Sequence, residues 1–563
     1  MQYVIKNIAS NIVRLFPVVL FSTQTAAQTP DIADALRQLP NTKNIAPQQS
    51  FPSILAPATD VQDTAKQTEQ TFAVSRIILE ENTVLPAEET AELLASFTGK
   101  NLTLMDLQSL VQQLTERYKQ QGYITSRVVL PAQDIKDGVV RLKPLEGGYG
   151  TFTLNNTSLV STETLTAIAS PLQDNPVVAL QDIERTLRVM GNRAGVDVAN
   201  VQVARGATPK TSDFTVTTTA KPRLSGYVLA DNYGSDFTGE NRVSGRVDIA
   251  SPAGIGDKIS LSGLTTDGQH LENYQAAYSL PLTATGLKAE VAFSRTTYQL
   301  TSTFAALDAQ GVADSFEATL SYPLIASRTL SLNAAITGVR CNLVDEIRST
   351  STKIPKAIDA VTAEVSAMRN ATFLSYPNIL DASVAMTWGN LDIKDAVTAA
   401  QDSQGAQTEG EFAKINAEVT HTTALSPRWD VLLSVRAQQA LHNKNLDGSE
   451  DFSISGINAV KAYPSGEFAA ENAVLQSIEA RYHLPDLERI KVTLAPFFEI
   501  GRAMMENKTG TNGAQTLSDV GLNIYTQYQQ FFLTTTAAQR LSSAATSEKT
   551  PERVLLVSGG IRF

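Results

Sequence analysis

Two small α+β repeats followed by a transmembrane antiparallel β-barrel of about sixteen strands is the fold class this sequence predicts. Three observations predict it. The order strand, helix, helix, strand, strand runs through residues 71–147 and returns through 148–221. Period-two alternation of apolar and polar residues then takes over from 222 to 563. Between the alternating segments, tight turns and long polar loops take turns, which is the asymmetry of barrels that cross a bilayer.

Residues 1–27 read as a secretory signal peptide. Lys6 and Arg14 supply the positive end, Leu15 to Phe21 the apolar stretch, and Thr25-Ala26-Ala27 a small-residue cleavage site. A retained amphipathic anchor is the alternative, and Pro17 inside the apolar run weighs against it. Residues 28–70 are rich in Ala, Pro, Gln, Thr and Asp. Within them Asp31 to Leu39, closed by Pro40, predicts a short helix that is a candidate barrel plug, and the remainder reads as a linker.

The first repeat opens with a strand from Phe72 to Leu79, then a helix from Pro86 to Phe97. A second helix begins at Thr103. Leu104, Leu107, Val111, Leu114 and Tyr118 recur at helical spacing, Thr103 and Asp106 suit a capping box, and Gly122 stands where a helix stops. Strands from Tyr123 to Leu130 and Val139 to Leu145 complete the unit. The second repeat has a strand at Phe152 to Asn155, helices at Thr162 to Ser170 and Leu180 to Arg193, and strands at Val196 to Ala204 and Phe214 to Thr219.

In the last section Val243, Gly245, Val247 and Ile249 share one face against Ser244, Arg246 and Asp248; Leu287 to Phe293 and Phe316 to Tyr322 alternate likewise. Tight turns are expected at 251–256, 282–286, 324–327, 425–427 and 484–488, with longer loops at 297–313, 341–357, 393–410, 441–471 and 500–516. The chain ends on Phe563, a terminal aromatic of the kind that closes outer-membrane barrels. A soluble all-β domain also alternates and is the rival at this level.

Composition narrows the function. The 563 residues carry a net charge of −11 without a long basic run, which argues against a nucleic-acid partner. No apolar run reaches the ~18 residues a spanning helix needs, so any crossing is made by strands. Cys341 is the single cysteine, so no internal disulfide forms. No catalytic motif has usable spacing, and the four histidines, His270, His421, His442 and His483, are too scattered to suggest a metal site. Neither enzyme nor cofactor is expected.

Two stretches of the barrel half stand out. The longest interstrand loop, after the eleventh strand, carries Val460-Lys461-Ala462-Tyr463; on the thirteenth, Phe497-Phe498-Glu499-Ile500-Gly501 turns Glu499 to the lumen while Val492, Leu494 and Phe498 face lipid. A carboxylate there invites a cation.

At these residues the chain resembles the transporters of two-partner secretion, the haemolysin secretion/activation family of the Omp85 superfamily. The first repeat resembles its polypeptide-transport-associated (POTRA) domain through Tyr118, Gly122, Tyr123, Thr125, Ser126, Arg127, Pro131, Gln133, Gly138 and Gly147. The loop resembles the superfamily's Val-Arg-Gly-Tyr signature, with Lys461 for arginine and Ala462 for glycine. The strand resembles its Phe-x-Asp-x-Gly motif, with Glu499 for aspartate. The resemblance implies a lumenal Lys461–Glu499 ion pair and periplasmic POTRA repeats. It also implies an unfolded partner exoprotein, adhesin or haemolysin, that passes through a monomeric outer-membrane pore. Outer-membrane lipid and the barrel-assembly machinery are the further partners expected. A barrel-assembly factor of the same superfamily is the alternative, and a passive porin a more distant one.

Overall fold

The structure, a computed structural model, describes residues 32–37, 54–55, 71–80, 84–135, 137–486, 488–506, 513–542, 545 and 551–563. The expected signal at 1–27 lies outside them, as does most of 28–70. Of the latter, helix α1 (Ile32–Arg37) and strand β1 (Ile54–Leu55) are described.

The first repeat is β2 (Thr71–Val74), β3 (Arg76–Leu79), α2 (Ala87–Phe97), β4 (Lys100–Thr103), α3 (Leu104–Gln120), β5 (Arg127–Val129) and β6 (Val139–Leu145). The single strand expected over 72–79 breaks at Ser75, because its two halves pair differently: β2 with β4, and β3 in parallel with β6. Helix α3 starts where the sequence said it would. Thr103 Oγ1 accepts from the Asp106 amide at 3.1 Å, and Asp106 Oδ2 accepts from the Thr103 amide at 2.7 Å, a reciprocal cap. Its apolar face puts Leu107, Leu110, Leu114 and Tyr118 into the domain core, all within 1 % of full burial. Thr103→Ala should cost about 1 kcal/mol, read as faster amide exchange in the first turn of α3. The two hydrogen bonds from Thr103 also hold the Asp106 carboxyl below its ordinary value. This part of the cap is therefore fully present above about pH 4 and lost as acid protonates Asp106 below that.

The second repeat follows as β7 (Gly148–Thr157), α4 (Thr162–Ala169), α5 (Leu180–Gly191), β8 (Val196–Arg205) and β9 (Thr211–Ala220). Its sheet runs β1-β8-β9-β7, so the two-residue strand from the linker is its outermost member. Ile183, Leu187 and Met190 of α5 fill its core.

From Leu224 onward the chain forms a closed barrel of sixteen strands. They are β10 (Leu224–Asp231), β11 (Arg242–Ala250), β12 (Lys258–Thr266), β13 (Leu271–Pro281), β14 (Lys288–Gln299), β15 (Ala309–Ala326), β16 (Leu330–Ile347) and β17 (Thr352–Phe373). Then come β18 (Tyr376–Ile393), β19 (Gly410–Ser426), β20 (Trp429–Ala440), β23 (Asn472–His483), β24 (Ile490–Met504), β25 (Ala514–Tyr528), β26 (Phe531–Arg540) and β27 (Arg553–Arg562). A small hairpin of β21 (Phe452–Ser453) and β22 (Ala469–Ala470) lies in the loop between β20 and β23.

The faces sort as hydrocarbon demands. Val243, Val291, Phe293, Phe316, Leu320 and Val419 point out and are exposed, whereas inward neighbours such as Thr296, Leu343 and Ile358 are buried. Phe373, Tyr376, Trp429, Tyr528, Phe531 and Phe563 stand exposed at the strand ends beside the tight turns, as an interfacial aromatic belt. Closure joins β10 to β27, with Tyr227 opposite Arg562, and the amide of Phe563 donates to the Gly226 carbonyl at 3.0 Å. The Phe563 ring covers Gly226, where a Cβ would stand 2.9 Å from the ring edge.

Several loops are shorter than the sequence suggests. The expected loop at 341–357 is a single turn, Arg348–Thr350, because β16 and β17 carry on through it. The strand period persists there while the outward residues become polar, Arg340 pairing with Asp359, since that wall stands beyond the lipid. The loop expected at 297–313 contracts the same way to one short 3-10 helix, Ser302–Leu307, and that at 500–516 to the stretch between Met504 and Ala514. Within 393–410 lies a helix, α6 (Ala396–Gln404).

The second repeat is tied to the barrel by α5 and the segment just after it. Arg185 on α5 donates to the carbonyls of Pro323 (2.9 Å), Leu324 (3.2 Å) and Thr285 (3.3 Å) and to the Tyr322 hydroxyl (2.8 Å). Arg188 reaches the Ser327 carbonyl, Arg193 that of Thr283, and Glu184 accepts from the Arg328 amide. Three arginines thus donate to carbonyls at the β13–β14 and β15–β16 connections.

Candidate functional site: a loop seated in the barrel lumen

The loop between β20 and β23 folds inward. Gly456 (φ +95°) and Gly466 (φ +86°) turn it back, and the Gly456 carbonyl accepts from Ala459 at 2.9 Å. Its tip is among the most buried parts of the chain. Val460 and Ala462 are fully enclosed and Tyr463 is 2 % exposed.

The tip meets the wall at two carboxylates. Lys461 Nζ contacts Glu499 Oε1, the Lys461 amide donates to Glu499 Oε2 at 3.2 Å, and the Ala462 amide donates to Asp519 Oδ2 at 2.7 Å. Glu499 and Asp519 face each other on β24 and β25, and both are nearly enclosed, at 3 % and 0 % exposed. Two buried carboxylates in one place would repel unless neutralised. Lys461 brings the cation, and two successive backbone amides donate one to each carboxylate.

Small residues make room for this approach. A Cβ at Gly501 would stand 2.8 Å from the Cβ of Ile454, so only glycine lets the loop lie against β24 there. Phe497 lies over Gly521 in the same way, and Lys461 Nζ sits 4.7 Å from the Phe497 ring centre. Arg540 stacks on Tyr463 at 5.5 Å, and Arg436 donates to the Asn458 carbonyl. Gly501→Val should unseat the loop, making residues 452–470 cleavable by protease added to intact cells, whereas the parent loop resists.

The structure therefore brings together Val460, Lys461, Ala462, Tyr463, Phe497, Glu499 and Gly501. Asp519, Ser477, Gly521 and Arg540 belong to the same cluster and were not foreseen. Asp519 was findable, since it shares lumenal parity with Leu517 on β25 while Val520 faces lipid. Nothing local marks it as a partner of Ala462, because that contact spans 57 residues.

The residues of the first-repeat motif serve another purpose. The Tyr118 hydroxyl donates to Glu146 at 3.0 Å, and burial, with that carboxylate beside it, pushes its pKa above the usual tyrosine range. Gly122 has φ +90° and its carbonyl accepts from the Leu180 amide at 2.9 Å; the Gly147 carbonyl accepts from Val178 at 2.8 Å. Those two bonds join the repeats. Ser126 Oγ accepts from Gly147, and Tyr123 packs edge-on to Tyr118 at 6.3 Å. Gln133 mimics a strand, donating to the Arg141 carbonyl at 2.7 Å and accepting from its amide at 2.8 Å, just after Pro131. Arg127 is exposed. Most of the motif builds the joint and the end of the domain and is not turned toward solvent.

A family model described as the haemolysin secretion/activation protein ShlB/FhaC/HecB matches residues 210–523, and one described as a POTRA domain, ShlB-type, matches 72–147. The chain belongs to the ShlB/FhaC/HecB family. Among curated proteins it is 23% identical to the heme/hemopexin transporter protein HuxB of Haemophilus influenzae, across 76% of this chain and 74% of that protein. It is 29% identical to the outer membrane transporter CdiB of Dickeya dadantii, across 37% of this chain and 38% of that one. In fold it is similar to CdiB from Escherichia coli, with TM-score 0.75, 20% identity and coverage of 90% and 94%. CdiB from Acinetobacter baumannii gives TM-score 0.67, 16% identity and coverage of 95% and 100%. The protein is thus an outer-membrane pore of two-partner secretion, with the POTRA domain on the periplasmic side and a secreted exoprotein as partner.

Proposed function

We propose that the transporter exports one large partner polypeptide, of adhesin or haemolysin type, unfolded and through its own lumen as a monomer. The observation that carries this reading is the seated loop: a cation and two backbone amides hold a movable segment against buried carboxylates inside a polar, closed barrel. A latch of this kind suits a pore that must be shut at rest and opened for a chain. A passive porin needs neither such a latch nor periplasmic repeats.

Helix α1 supports the same reading. Ile32 and Ala35 pack among Leu343, Ile358, Leu391 and Phe412 on the inner wall, and the Ile32 amide donates to Asp345 at 3.1 Å. It acts as a second, detachable obstruction on a tether, the role expected for the 28–70 segment. The chain reaches the outer membrane after removal of residues 1–27 and is inserted by the barrel-assembly machinery. Export is driven by folding of the cargo at the surface, since no nucleotide is available outside the inner membrane.

Deleting the gene and comparing the culture medium tests the proposal. Loss of a single large secreted protein, restored by the gene in trans, is expected. General loss of outer-membrane barrels would instead establish an assembly factor, and altered uptake of small solutes alone a porin.

A further inference from the structure

Arg295 of β14 and Arg340 of β16 point outward on either side of β15. Arg295 stands opposite Asp314, and Arg340 opposite Phe316, the next residue on the same face of β15. Both arginines lie toward the strand ends away from Thr283, Thr285 and Ser327, which the second repeat holds, so they belong to the outer leaflet. Below them the wall is apolar and exposed at Phe293, Phe316 and Ile336, and above them it carries Thr297 and Asn342. The two guanidiniums therefore stand where hydrocarbon gives way to headgroups. Tyr274, opposite Arg295, and Trp388, opposite Val361, are exposed near the same level, as aromatic residues at a membrane boundary are. Each arginine has one carboxylate neighbour, Asp314 at 3.4 Å from Arg295 and Asp359 at 3.7 Å from Arg340, and both arginine side chains are more than half exposed. The nearby Glu272 is engaged by the Tyr274 hydroxyl at 3.0 Å. Ion pairs so long and open contribute little, and most N–H donors of each guanidinium remain unspent. Beneath Arg340 the wall has a notch. A Cβ at Gly338 would meet nothing within 4 Å, so packing does not ask for glycine there. Ala318 and Val361 stand opposite it on β15 and β17.

We propose that Arg295, Arg340 and the notch at Gly338 form a docking site for a phosphorylated glycolipid of the outer leaflet, the guanidiniums holding phosphate and the notch an acyl chain. Charge and shape agree on this occupant. A guanidinium fork takes phosphate oxygens in pairs. With neighbouring strands ~4.8 Å apart, the two arginines stand roughly 10 Å from each other across β15, the span of one phosphorylated sugar headgroup. A free phosphate has no use for the apolar notch, and a glycolipid without phosphate leaves the guanidiniums unanswered. Asp314 and Asp359 compete with the phosphate for the same donors. The site does not depend on what the pore exports. Its occupant fixes the height of the barrel in the bilayer and braces the tall wall of β15 to β18 from outside.

Native mass spectrometry of the full-length transporter in detergent, titrated with bisphosphorylated lipid A, tests the site. Arg295→Gln with Arg340→Gln should weaken binding by about tenfold or more, the loss expected when charged donors to a phosphate are removed. Gly338→Leu fills the notch without touching a charge and should weaken it by about threefold, the worth of roughly one buried methylene. Asp314→Asn with Asp359→Asn removes the competing carboxylates and should bind as tightly as the parent or tighter. Dephosphorylated lipid A, phosphatidylglycerol and inorganic phosphate should each bind the parent by about tenfold less. Heat-modifiable gel mobility checks that every barrel is closed; should the double glutamine variant not close, Gly338→Leu and the asparagine pair decide. The proposal is overturned if the closed glutamine variant or Gly338→Leu binds lipid A like the parent, if the asparagine pair binds it more weakly, or if any of the three comparison ligands binds as well. Secretion is not the readout, so failure here leaves the export reading standing, and loss of that reading leaves the site standing.

Discussion

Lys461→Met is expected to cut secretion by at least tenfold while leaving the barrel assembled in the outer membrane. Methionine keeps the length of the side chain and removes its charge. Glu499 and Asp519, 3 % and 0 % exposed, would then face each other with backbone donors alone. Breaking a buried ion pair from one side costs about 3–5 kcal/mol. Even the lower figure moves the seated-to-released ratio of the loop by roughly a hundredfold. The barrel should survive, since the ladders on both sides of β24 are backbone bonds that Lys461 does not touch. Lys461→Arg should behave oppositely. A guanidinium has the fork to serve both carboxylates, so secretion should stay within about twofold of the parent. Exchanging the charges, Lys461→Glu with Glu499→Lys, should recover only part of the loss, because Asp519 stays acidic beside the carboxylate introduced on the loop. Secretion by the exchange no better than by either single change would remove the pair from the account.

Arg185→Ala should be the most damaging single change outside the barrel. One guanidinium serves three carbonyls and a hydroxyl on the turn after β13 and the end of β15, and its carbon lies 5.4 Å from the Tyr322 ring centre. Charged hydrogen bonds contribute about 1.5–3 kcal/mol each and are not additive, so about 3 kcal/mol of docking energy is at stake. The second repeat should then swing free of the barrel while both units stay folded. Secretion should fall at least tenfold, and protease added to opened cells should cut near Lys221. Arg188→Ala, which removes one carbonyl contact at 3.3 Å, should do much less.

Much of the fold was legible because two periods carry it. Leu107, Leu114 and Tyr118 repeat on one helical face, and Val291 and Phe293 against Lys288 and Glu290 repeat on a sheet face; each pattern follows from burial on one side only. The Thr103 cap and the Gly122 stop are equally local. What the sequence hid depends on distance or on a change of surroundings. The walls between Arg340 and Asp359 read as loop because polar residues on an outward face mean water, whether the backbone is a loop or a strand beyond the lipid. The turn at Leu374–Ser375 carries positive φ at both residues, 50° and 69°, without the Asn-Gly signal of such turns. The lumenal cluster was half visible. Lys461 and Glu499 sit in recognisable motifs, but Asp519 joins only through packing of the loop tip, and the Arg185 contacts form only when the second repeat meets the barrel.

The motif of the first repeat teaches a different lesson. Tyr118, Gly122, Ser126 and Gln133 mark the family clearly, yet they hold a joint together. A conspicuous sequence signature and a cargo-binding surface need not coincide.

The central claim is that cargo crosses inside the barrel, and adjacent residues of β15 allow it to be measured directly. Thr319 faces the lumen, its hydroxyl 3.0 Å from that of Thr337, and Leu320 faces lipid at 50 % exposure. A photoreactive side chain is placed at one or the other, and the exported protein is halted midway by a folded fusion partner. Adducts with the cargo at Thr319 and none at Leu320 are the expected result. Equal adducts at both positions, or none at Thr319 while the cargo is demonstrably halted in the membrane, would contradict the account.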